Sequence, residues 1–60
     1  MTKEQAFDVA EKFLLHIYSE DVIICANICT AVADKNTFYI SKSLDEVIKL
    51  CESIKDGLKE

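Results

Sequence analysis

The chain contains no proline, no tryptophan and no arginine, and only one glycine and one histidine. With no proline, and with Gly57 standing alone near the far end, there is no linker, no low-complexity segment and no glycine-rich loop to cradle a phosphate or build an oxyanion hole. Without arginine the chain lacks the usual bidentate donor to guanine and phosphate, so direct nucleic-acid binding is not expected. Seven lysines against eleven acidic residues leave a net charge of −4, which repels phosphate further. No run approaches the roughly twenty apolar residues that span a bilayer. The charged opening MTKEQAFDVAEK reads as helix rather than signal sequence. These absences predict a soluble, cytoplasmic protein with no membrane partner.

What is present is apolar surface. Half of the 60 residues are hydrophobic, which is generous for a single domain (1–60) close to the lower size limit for a self-sufficient core. Size alone favours a homodimer or higher homo-oligomer over a monomer whose helices cover everything.

The organising stretch is the uncharged run from residue 22 to residue 33, VIICANICTAVA. As a strand it places Val22, Ile24, Ala26, Ile28, Thr30 and Val32 on one face, and Ile23, Cys25, Asn27, Cys29, Ala31 and Ala33 on the other. Six of its residues are β-branched, which suits a pleated surface. As a helix it has Ser19, Glu20 and Asp21 before it and Lys35 and Asn36 after it, but its wheel is apolar almost all round and demands burial on every side. The following residues favour the strand. Asp34, Lys35 and Asn36 make a turn triplet, with Asn36 suited to a left-handed position. TFYIS (37–41) then reads as a short partner strand that pairs Phe38 with Val32 and Ile40 with Thr30.

The flanks read as amphipathic helices. Residues 2–18 carry a Thr2–Gln5 capping box and an apolar stripe of Ala6, Phe7, Ala10, Phe13, Leu14, Ile17 and Tyr18. Residues 44–58 carry a Ser43–Glu46 capping box and a stripe of Leu44, Val47, Ile48, Cys51, Ile54 and Leu58. The expected fold is therefore α+β, helix–strand–strand–helix, with both helices on one face of a central β-hairpin. The alternative is a small all-α three-helix bundle.

No catalytic set emerges, and no enzyme activity is expected. His16 sits near the end of the first helix, where a cation suits the helix dipole. Cys25, Cys29 and Cys51 are odd in number and lack C-x-x-C spacing, so reduced thiols acting as small apolar groups are the simplest reading. Together with His16 they form a Cys₃His set, which suits zinc or thiol-redox chemistry. Along a strand, however, Cys25 and Cys29 lie about 13 Å apart, too far to share one ion. The triplet at 34–36 opens like a calcium loop but continues with Phe38 and Tyr39 where a ligand and a glycine are required. No cofactor or metal is expected.

The functional expectation is a small acidic protein–protein interaction module, a regulator or inhibitor of another macromolecule. Its partner surface would be the acidic stripe Glu4, Asp8 and Glu11 with Ile23, Thr37 and Tyr39 on the outer sheet face. Such a stripe is most simply a solvated face. The contrasting possibility is the thiol or metal protein.

Overall fold

The computed structural model describes residues 1–59. These form three helices: α1 (Lys3–Ile17), α2 (Val22–Ala33) and α3 (Thr37–Leu58). There is no strand among the described residues, so the central β-hairpin is overturned and the all-α bundle is the architecture.

The caps explain the reversal. Asp21 starts α2 by accepting from the Ile24 amide at 3.0 Å. At the other end Lys35 takes the left-handed conformation, with φ 57°. Its amide donates to the Val32 carbonyl at 3.1 Å, while the Asn36 amide donates to the Ala31 carbonyl at 2.8 Å. These two bonds form a Schellman motif, a helix terminus made here without glycine. Asn36 then caps α3, its side chain accepting from the Tyr39 amide at 3.0 Å. The triplet read as a hairpin turn thus ends one helix and starts the next, forming an αα-hairpin. TFYIS is the opening of α3, and Ser43 and Glu46 lie inside that helix rather than capping it.

The first helix follows its expectation, with the Thr2–Gln5 capping box formed in both directions. Its end is tied through the Tyr18 carbonyl, which accepts from the Asp21 amide at 2.9 Å and from the Cys25 thiol at 3.1 Å. Both lone pairs of one oxygen thereby hold the α1–α2 turn.

The core joins all three helices: Phe7, Ala10 and Leu14 from α1, Ile28 and Ala31 from α2, Ile40 and Val47 from α3. Leu14 and Ile28 are fully excluded from solvent. Ala10 and Ala31 keep the helix backbones close, and Ile24, Val32, Tyr39 and Leu44 pack around the rim. The α2 helix does not need burial all round. It leaves Val22 and Ile23 in water and buries one side only.

Candidate functional site

The α3 helix contains 22 residues, against 15 in α1 and 12 in α2. At the helical rise it is about 33 Å long, and it stretches the molecule to 42 × 27 × 16 Å. Two short turns reverse the chain, at 18–21 and at 34–36. The α1–α2 turn therefore lies at the end of the bundle from which α3 emerges. Only the first half of α3 is covered. From residue 48 to residue 59 every side chain is exposed.

This overhang is not polar on every side. Ile40, Leu44, Val47, Cys51, Ile54 and Leu58 follow alternating steps of four and three, a heptad seam running the length of the helix. Its first members are core or rim residues, whereas Ile54 and Leu58 are 54% and 80% exposed. Ile48 and Leu50 widen the bare seam on either side. A stripe that is core at one end and in open solvent at the other is the most unusual surface of the molecule, and it is the candidate binding face.

The residues expected to form a partner surface are scattered. Glu4 and Asp8 are exposed on α1, where Asp8 pairs with Lys12 at 3.1 Å, whereas Glu11 is half-buried beside the core face. Ile23 stands exposed at the start of α2, while Thr37 lies beyond its far end, at the start of α3. Tyr39 is half-buried against the core. No sheet face unites Ile23, Thr37 and Tyr39 among the described residues. Sequence reading placed the bare seam of α3 among buried residues. The signal that it is not buried is the length of α3, which a strand reading of residues 37–41 conceals.

The helical form of α2 places Cys25 and Cys29 one turn apart, the arrangement that favours a shared ion. Cys25, however, directs its thiol at the Tyr18 carbonyl, while Cys29 and Cys51 are exposed on different helices. Among the described residues no three His, Cys, Asp or Glu side chains come together as a metal site. His16 stays exposed in the last turn of α1. No described helix is long and apolar enough to cross a membrane.

One groove lies between α1 and α3, with Phe7, Ala10, Ile40 and Leu44 at its base and Lys3 and Thr37 on its rim. Its volume of about 190 Å³ is below the roughly 300 Å³ at which small-molecule sites begin. Compared with known proteins, the chain matches no family model, no curated protein and no solved structure.

Proposed function

We propose that the protein is a non-enzymatic protein–protein interaction module whose binding element is the overhanging half of α3. The observation that carries this reading is the heptad seam that passes without change of character from the core into solvent. The acidic residues Glu4, Asp8 and Glu11 lie on α1, apart from the overhang, and form the face left to a regulated target once the seam is occupied. All three cysteines are free, which supports a reducing, cytoplasmic setting.

The test is an apolar fluorescent dye titrated against dilute protein. The wild type is expected to bind dye, and Ile54→Glu to lose most of the signal while keeping its helical circular dichroism. Equal dye binding by both proteins, or by neither, removes the reading.

A further inference from the structure

The interaction-module reading says that the seam binds something, and the following inference, which rests on it, names the occupant. We infer that the overhang of α3 pairs antiparallel with the same overhang of a second copy of this chain.

A twofold contact requires a patch that complements itself. Antiparallel pairing about a point between Cys51 and Ile54 sets Cys51 of each copy against Ile54 of the other, a small side chain facing a large one in both layers. In the same register Leu50 of one copy lies beside Gly57 of the other. An atom added at Gly57 in the Cβ position would meet nothing within 4 Å in the single chain, so that space is open to a neighbour. Ile48 lies beside the aliphatic stem of Lys55, a suitable cover for a branched apolar side chain.

The charges agree with this direction. Along the flank next to Ile48, Asp45 and Glu52 precede Lys55 and Lys59. Reversing one helix brings Lys55 of each copy within a turn of Glu52 of the other, an attraction that offsets the approach of the two Glu52 side chains at the twofold axis. A parallel pair would set like charges level with each other. It would also bring both bundles to the same end of the seam, where Val47 is already covered by α1 and α2.

The bundle sets the length of the contact. Leu58 of the second copy arrives at the level of Val47, where the bundle begins, beside Ile17 and Val22 at the bundle's end, which are 41% and 79% exposed. The overhang alone is short against the roughly 1,000 Å² of a specific interface. The pair is therefore expected to be reversible and concentration-dependent, with those two side chains adding to its area.

The test is sedimentation equilibrium of the full chain over a thousandfold concentration range, with Ile54→Glu and Ile23→Glu as variants. Ile54 and Ile23 both lie outside the core, and circular dichroism verifies that each variant is folded. The wild type is expected to rise from 6.8 kDa towards twice that mass. Ile54→Glu should stay at the lower value throughout, and Ile23→Glu should follow the wild type. A wild type that never exceeds one chain overturns self-pairing, as does an Ile54→Glu variant that associates normally. If that monomer still binds dye through Ile54, the module reading survives with a different occupant; if it does not, both readings fall.

Direction is read separately, with Cys25 and Cys29 replaced by alanine. In the antiparallel pair the two Cys51 residues are displaced along the axis by about 4.5 Å from facing each other, beyond the reach of a disulfide. Mild oxidation should leave the pair non-covalent. Complete conversion to a Cys51–Cys51 dimer overturns the antiparallel arrangement.

Discussion

Val47 and Ile54 occupy the same heptad position one repeat apart on α3, yet Val47 is 3% exposed and Ile54 is 54% exposed. The residues around each are alike in character. What differs is what stands opposite: Val47 faces α1 and α2, and at Ile54 those helices have ended.

That difference sets the first prediction. Leu14 and Ile28 are fully buried, so Leu14→Ala or Ile28→Ala should cost about 2–5 kcal/mol. A core this small supplies about 3–5 kcal/mol in total, so Leu14→Ala is expected to abolish the cooperative unfolding transition in urea. Ile54→Ala, measured at a concentration too low for association, should lower the unfolding free energy by less than about 0.5 kcal/mol. Comparable losses at the two positions would mean that the overhang folds back onto the bundle.

The turn between α2 and α3 offers two substitutions of opposite sign. Asn36→Ala removes the cap on the Tyr39 amide and should cost about 1 kcal/mol, a fall in Tm of roughly 4–8 °C for a domain of this size. Lys35→Gly relieves a left-handed backbone and should return up to about 1 kcal/mol. Part of that gain is offset because the Lys35 ammonium lies 5.5 Å from the centre of the Phe7 ring, an exposed cation–π contact of about 0.5–1 kcal/mol. The net gain should be a few tenths of a kcal/mol at most. Thermal melts of both variants check the signs, and a loss at Lys35→Gly would show that the ring contact outweighs the strain.

The flanking helices were legible in the residues, but the α+β fold class was not the one adopted, and Phe13 and Ile17 of the α1 stripe stand 45% and 41% exposed. The first helix, its capping box and its buried Phe7, Ala10 and Leu14 follow directly from spacing. The central run was ambiguous because Ile24, Ile28 and Val32 are four apart. That step satisfies a strand's alternation and a helix's turn equally well. Its β-branched content favoured the strand, and the terminal bonds made by Asp21, Lys35 and Asn36 overrode it. Phe38 shows the cost of that error. The strand reading puts it on a core face with Ile40, yet it stands 79% exposed while Ile40 is buried, because residues two apart diverge on a helix. The bare seam of α3 was visible as an apolar stripe. That nothing covers it depends on the unequal lengths of three helices, which no local pattern contains.

Gly57 lies inside the last turns of α3 with open space around it. Gly57→Ala therefore removes backbone freedom without a clash and should stabilise the helix by up to about 1 kcal/mol. The expected readout is a stronger helical signal and slower amide exchange over residues 52–58, with no change at Leu14 or Ile28. An unchanged exchange pattern would mean that this end is already held by something other than its own propensity.

The thiols provide a last prediction, one that separates the bundle from its overhang. Cys25 is half-buried and donates to the Tyr18 carbonyl at 3.1 Å, whereas Cys29 and Cys51 are exposed. A maleimide reagent should modify Cys29 quickly at every protein concentration and Cys25 slowly, because reaching Cys25 requires the α1–α2 turn to open. Cys51 should react as fast as Cys29 in dilute solution and slow as the protein is concentrated, since its surface is the one the second copy covers. Peptide-resolved mass spectrometry assigns each rate. In urea the three rates should converge. If Cys51 keeps its dilute rate at high concentration while the mass doubles, association runs through another face, and the exposed Ile23 of α2 becomes the place to look.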